Sequence, residues 1–188
     1  MSPIRCMVIS DTHDQFPDTT NLPSVDVLLH CGDMSQIGGL SEYRRAIAGM
    51  QKINAELKLV IAGNHDISLD PTWRLENLDE DEDDPNEPLK AKKLFEDAQG
   101  IFYLEEGLYS FQLRSDTSFT IYASPYTLEF HGYAFAYDPE EGHFSSVPES
   151  VDILMTHGPP KLDIAGYKLD INHKSEPCGC PHLAKAMK

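Results

Sequence analysis

The sequence predicts an α/β fold whose strands end on polar turns, and three observations carry that prediction. First, three apolar runs, Ile4–Ile9, Val25–Leu29 and Leu57–Ile61, are closely followed by polar clusters. These are Asp11-Thr12-His13, Gly32-Asp33 and Gly63-Asn64-His65-Asp66. Apolar runs of this length bounded by turn signals read as buried strands of a parallel or mixed sheet. Second, Leu40, Tyr43, Ile47, Met50 and Ile53 recur at steps of three and four, which predicts an amphipathic helix between the second and third strands. Third, the pattern returns late in the chain, where Val151–Thr156 ends in His157-Gly158-Pro159-Pro160. Ligands of open α/β sheets bind outside the carboxyl ends of the strands. Side chains from separate strand ends are therefore expected to converge, and their chemistry is that of a metal site.

The elements follow in order. Strand, helix and strand from Val25 to Ile61 form a crossover expected to be right-handed. Lys90 to Ala98 reads as a second helix, stopped at Gly100. Ile101–Leu104, Tyr109–Leu113 and Phe119–Tyr122 read as short strands, the middle one alternating with period two. Gly132–Ser150 is rich in Pro, Gly, acids and aromatics and reads as a long surface loop. No internal repeat is visible.

A chain of 188 residues is most simply one domain, 1–188, able to bury a substantial core. The net charge is −16, from 31 acids against 15 bases, which argues against a non-specific nucleic-acid or anionic-membrane binder. Part of the excess is the run Asp79–Asp84, and residues 76–88 are expected to form a solvated, disordered insertion. No apolar stretch approaches a membrane span, and the first strand leaves no room for a cleavable signal, so the expected compartment is cytoplasmic. Cys6, Cys31, Cys178 and Cys180 do not suggest a disulfide scaffold; Cys178-Gly179-Cys180 lacks the second pair that a zinc site would need.

Asp11 and His13, two residues apart in an extended segment, lie on one side and can grip one cation. Carboxylate, imidazole and amide oxygen together suit Mn, Fe or Zn better than Ca or Mg. Taken singly, Asp11, Asp33 and Asn64 are also ordinary cap and turn residues, and His157 could simply close a strand. Their recurrence at every strand end favours a shared site. His131, His143 and His173 read as loop residues, and His30 as hydrogen-bonded core.

The order Asp-x-His, Gly-Asp, Gly-Asn-His-Asp and strand-terminal His resembles the calcineurin-like metallophosphoesterase superfamily. Leu29-His30-Cys31-Gly32-Asp33, Ala123-Ser124-Pro125-Tyr126 and Thr156-His157-Gly158-Pro159-Pro160 resemble its branch of small metallophosphoesterase-domain proteins. The resemblance implies two mixed β-sheets packed face to face with helices outside. It implies that Asp11, His13 and Asp33 hold one divalent ion, that Asp33 bridges to a second, and that Asn64 and His157 complete the second site. Two such metals, about 3.5–4 Å apart, would deliver a hydroxide to the phosphorus of a small-molecule phosphomonoester or phosphodiester. His65 would act at the leaving-group oxygen, and Asp66 could orient its imidazole. Tyr126, Phe130 and Tyr133 read as packing, with stacking on a planar base as the alternative.

The family pattern closes with a Gly-His-x-His turn carrying one imidazole for each metal, and no such tetrad occurs here. The expectation is a domain incomplete at its C-terminus, with three protein ligands for each metal. Three readings follow: a dimetal phosphoesterase, a catalytically impaired metal-binding or regulatory protein of the same fold, or an interaction protein using the acidic run.

Overall fold

Strand β1 (Cys6–Ile9) starts a four-stranded sheet that continues through β2 (Val25–Cys31), β3 (Ala55–Ile61) and β4 (Ile101–Tyr103), in that order and wholly parallel. These strands belong to a computed structural model that describes residues 3–79, 81–162, 171 and 176–187. Helix α1 (Leu40–Lys52) connects β2 to β3, and α2 (Pro71–Glu76) and α3 (Glu87–Glu96) lie between β3 and β4. Crossovers of this kind make the sheet parallel rather than mixed, because each strand must restart at the same edge. The second sheet is mixed: β5 (Gly107–Gln112) pairs antiparallel with β6 (Ser118–Ser124), which pairs parallel with β9 (Ile153–Thr156). Between β6 and β9, β7 (Thr127–Leu128) and β8 (Ala136–Tyr137) form a two-residue parallel ladder. Helix α4 (Pro181–Ala186) follows.

The period-two alternation of β2 and β3 explains why their sequences read as unbroken apolar runs. Val27, Leu29, Leu57, Leu59 and Ile61 face the second sheet and share one core with Phe119, Ile121, Ala123 and Met155. Leu28 and Val60 point the other way, into a core with Tyr43, Ile47 and Met50 of α1 and Phe95 of α3. The two sheets thus pack face to face, with helices covering the far side of the first.

Two segments differ from expectation. The loop from Gly132 to Ser150 contributes to the interior, with Ala134, Phe135, Tyr137 and Phe144 all buried. Its aromatics outweigh the turn residues between them. The acidic segment, expected to be disordered over 76–88, is held by Arg74, whose guanidinium lies 2.7 Å from Asp83 and 2.9 Å from Glu87. Helix α3 begins inside it, at Glu87. Helix α2 was not expected, although Asp70 caps it by accepting from Thr72 and Trp73 N–H with Pro71 in the first turn.

Candidate metal centre

The turns after β1 and β2 are fastened together past the ends of their strands. Asp11 N–H donates to the Gly32 carbonyl (3.1 Å), His13 N–H to Asp33 (3.0 Å) and Asp14 N–H to Met34 (2.9 Å). Asp11, His13, Asp14 and Asp33 all adopt positive φ, at 53°, 40°, 62° and 53°. Few residues other than glycine accept that backbone, and concentrations of such strain mark functional turns. The turns aim their side chains at one point.

Among the described residues, ligand atoms of Asp11, Asp33 and His157 lie within 4.8 Å of one another. Asp33 is the centre. Its Oδ2 is 3.6 Å from His13 Nε2, and its Oδ1 is 3.5 Å from His157 Nε2. Asn64 Oδ1 lies 2.9 Å from the same His157 Nε2. Both imidazoles have their proton placement constrained from behind: His13 Nδ1 donates to the Ser35 carbonyl (3.1 Å) and His157 Nδ1 to the Cys31 carbonyl (2.9 Å). A carbonyl can only accept, so Nδ1 carries a proton in each ring and Nε2 is the nitrogen turned toward Asp33, free to ligate a metal when it carries no proton.

The result is a buried carboxylate with acceptors on both sides. Asp33 is 3% exposed, and among the described residues its hydrogen-bond donor is His65 N–H on Oδ1 (2.9 Å). Converging lone pairs around a buried anion are costly unless cations lie between them. The donor set therefore fits divalent cation binding, with Asp33, His13, Asn64 and His157 as the residues that would hold it. Asp11, expected beside His13, instead offers its ligand atom together with Asp33 and His157, and His13 is not in that group. Glycines make the approach possible: a Cβ on Gly63 would sit 2.3 Å from Asp33 Oδ1, and one on Gly32 2.7 Å from His157 Nδ1.

His65 flanks this centre, and its ring centroid is 4.8 Å from that of His13. Its Nδ1 donates to the Gln36 carbonyl (2.6 Å), so Nε2 is the ring atom left for a ligand. The expectation that Asp66 orients this imidazole is corrected. Asp66 is wholly buried and accepts from Met34 N–H, Ser35 N–H, Ser35 Oγ and Gly63 N–H, at 2.7–3.2 Å. It fastens the second turn to the third instead. Burial pushes its carboxyl up to about 6, against the lowering effect of the Ser35 and backbone hydrogen bonds.

Behind the centre, His30 is wholly buried and shares a hydrogen bond with Thr12 Oγ1 (3.1 Å). Burial pushes its imidazole down to about 4, so it is neutral near pH 7. Burial and the neighbouring Asp11 charge push the Cys31 thiol up to about 11, which keeps it protonated. A cavity of about 850 Å3 opens from Asp11, Asn64 and His157 toward Tyr126, Phe130 and Tyr137. Its far wall is braced by His143, expected to be an ordinary loop residue. His143 Nε2 meets Glu106 at 2.8 Å, and the ring packs on Tyr126 and Tyr137 at centroid distances of 4.4 and 4.9 Å. Although burial pushes Glu106 up, hydrogen bonds from His143 and Ser124 hold it below the usual carboxylate range. Phe130, Glu129 and the Cys178-Gly179-Cys180 turn also line the cavity, while His131 is exposed. His173 lies outside the described residues.

Comparison with known proteins places the chain in a family. The profile of the calcineurin-like phosphoesterase family matches residues 4–186. The metallophosphoesterase domain-containing protein 1 of Homo sapiens and that of Mus musculus are each 29% identical over 192 residues, covering 98% of this chain and 56% of the relative. A probable rhamnogalacturonate lyase C of Emericella nidulans is 30% identical over 185 residues, covering 98% of this chain and 16% of that protein. The chain thus spans little more than half the length of the mammalian relatives and a small part of the fungal one. Among the described residues, no helix is long and apolar enough to cross a membrane.

Proposed function

Since the chain belongs to the calcineurin-like phosphoesterase family, we propose that it hydrolyses a small-molecule phosphoester, monoester or diester, with two divalent cations drawn from Mn, Fe and Zn. The observation that carries this reading is the division of Asp33, whose two oxygens face His13 and His157 separately. Asp11, His13 and Asp33 would hold one ion, and Asp33, Asn64 and His157 the other. Mixed imidazole, carboxylate and amide donors favour those metals over Ca or Mg. When bound, two such ions polarise phosphoryl oxygens and acidify water.

The chain's own residues supply the rest. Ser35 and Cys31 carbonyls fix the two ligand imidazoles, so their Nε2 atoms need no reorganisation on binding. His65, fixed through Nδ1 by the Gln36 carbonyl, keeps Nε2 for the substrate and, when protonated, would give its proton to the leaving-group oxygen. Asp11 and Asn64, on the cavity wall, face the phosphoryl group. Tyr126 and Phe130 offer apolar surface to the remainder of the ester.

Hydrolysis of bis(p-nitrophenyl) phosphate and p-nitrophenyl phosphate with added Mn2+ or Zn2+ tests the reading, with cation binding measured by calorimetry alongside. The expected result is cation-dependent turnover that Asp33→Asn abolishes. Cations bound without turnover of either ester would favour the metal-binding or regulatory reading. Failure to bind cations would remove both.

A further inference from the structure

Tyr133 lies against the imidazole of His65. With Asp66 occupied elsewhere, the imidazole is held by Gln36 through one nitrogen, and one of its faces is stacked on Tyr133. The ring centroids are 4.3 Å apart and the planes 27° from parallel. His13 approaches edge-on, at 78° between planes. The ring therefore has a stacked face, an edge contact and one tethered nitrogen, and Nε2 is the polar atom not used in holding it.

Tyr133 stands on a loop whose geometry is fixed by the residues around it. Trp73 Nε1–H donates to the Gly132 carbonyl at 2.7 Å, immediately before Tyr133. Immediately after it, Ala134 N–H donates to the Asn64 carbonyl at 3.2 Å, joining this loop to the residue that precedes His65. Phe135 N–H then donates to Asp70 Oδ2 at 2.8 Å. His131 and Phe135 take positive φ, at 54° and 50°, so the loop carries unfavourable backbone on both sides of this ring, while Gly132 accepts its 72° without cost.

We propose that Tyr133 is the positioning residue of His65, a role that rests on the phosphoesterase reading above. A stacked aromatic removes the rotational freedom that one hydrogen bond to Nδ1 leaves, since the ring can still swing about that bond. Among the described residues the phenol hydroxyl makes no hydrogen bond, so a phenyl ring serves equally.

The test is a double-substitution cycle on the esterase assay. Tyr133→Ala and Tyr133→Leu are expected to lower kcat about tenfold with little change in KM, whereas Tyr133→Phe stays close to wild type. In a His65→Ala background, Tyr133→Ala is expected to cost nothing more. An equal loss in that background, or a loss confined to KM, would overturn the proposal, because either marks a binding or scaffold role. Carbon-bound ring protons of His65, read by NMR, follow the stack without turnover. Tyr133→Ala should remove their ring-current shift and Tyr133→Phe should keep it. Unmoved signals overturn the positioning role even if the enzyme is active. Moved signals in a protein that turns over no ester overturn the hydrolase reading and leave the positioning of His65 standing.

Discussion

His157 Nε2 sits 2.9 Å from Asn64 Oδ1, while Nδ1 of the same ring is already committed to the Cys31 carbonyl. The close approach makes chemical sense in two ways: a proton on Nε2, or a cation that takes both lone pairs. Asp33 Oδ1, 3.5 Å from the same nitrogen, attracts a proton and a metal cation alike, so direct cation binding separates the two. His157→Ala and Asn64→Ala should each weaken the second of two cations by at least about tenfold and leave the first within a fewfold of wild type. Titration calorimetry of protein stripped with a chelator, then reloaded, separates the two binding steps. Equal loss at both steps would mean that there is one site.

Gly63 gives an independent check on the same centre. An added methyl would collide with Asp33 Oδ1 at 2.3 Å, Asp33 N at 2.5 Å and His157 Cε1 at 2.7 Å. None of these is the free end of a flexible chain, so the ligands must shift. Gly63→Ala is expected to lower cation affinity by about tenfold or more and to destabilise the apo protein by about 1–3 kcal/mol, the usual cost of overpacking. Chemical denaturation with and without cation measures both effects. Gly100, whose Cβ would meet nothing, provides the contrast at a position of positive φ.

What the sequence made legible follows from which physics is local. Strands β2 and β3 are legible because both faces are buried, whereas β1 turns Met7 and Ile9 to the core and leaves Val8 exposed; the ligands are legible because turn chemistry follows each strand directly. The partner of His65 was not readable. Asp66 is its neighbour in sequence, yet the turn directs that carboxylate inward to four donors, among them Ser35 and Gly63. Tyr133 reaches His65 across 68 positions through a loop fixed by Trp73 and Asp70, a contact no local pattern encodes. His143 has polar neighbours in sequence and so reads as a loop residue, although the aromatics at Tyr137 and Phe144 are a sign of a packed environment.

Two buried groups give stability opposing pH dependences. His30 falls from 6.5 to about 4 on folding, so the unfolded chain binds the proton first as pH drops. Its contribution is full above pH 6.5 and is lost as pH falls toward 4, by about 3 kcal/mol. Asp66 rises from 3.8 to about 6, so the folded chain keeps a proton that the unfolded chain releases. Its contribution is full below pH 3.8 and is lost as pH climbs through 6, again by about 3 kcal/mol. Between pH 4 and 6 the two slopes nearly cancel. In metal-free protein, His30→Leu should expose a stability that falls with pH across that window, and Asp66→Asn one that rises. Urea unfolding at half-unit pH steps reads each slope, and parallel profiles in both variants would show that neither group carries the effect.

Asp70 joins helix α2 to the loop that bears Tyr133. Its Oδ1 accepts from Thr72 and Trp73 N–H at 2.9 and 3.1 Å, and its Oδ2 accepts from Phe135 N–H at 2.8 Å. Removing the cap costs about 1 kcal/mol. Leaving the Phe135 N–H without its acceptor adds about 1–3 kcal/mol, since that residue is buried. Asp70→Ala should therefore destabilise by about 2–4 kcal/mol. Asp70→Asn, which keeps one acceptor oxygen, should preserve either the cap or the loop bond and lose about half as much. Because Asp70 reaches the site only through the loop, the alanine variant should also lower kcat toward the Tyr133→Ala value while cation affinity stays unchanged. Equilibrium unfolding, calorimetry and steady-state kinetics on the two variants separate these effects. A loss of cation affinity would show that the loop supports the metal ligands themselves, through Asn64, rather than His65.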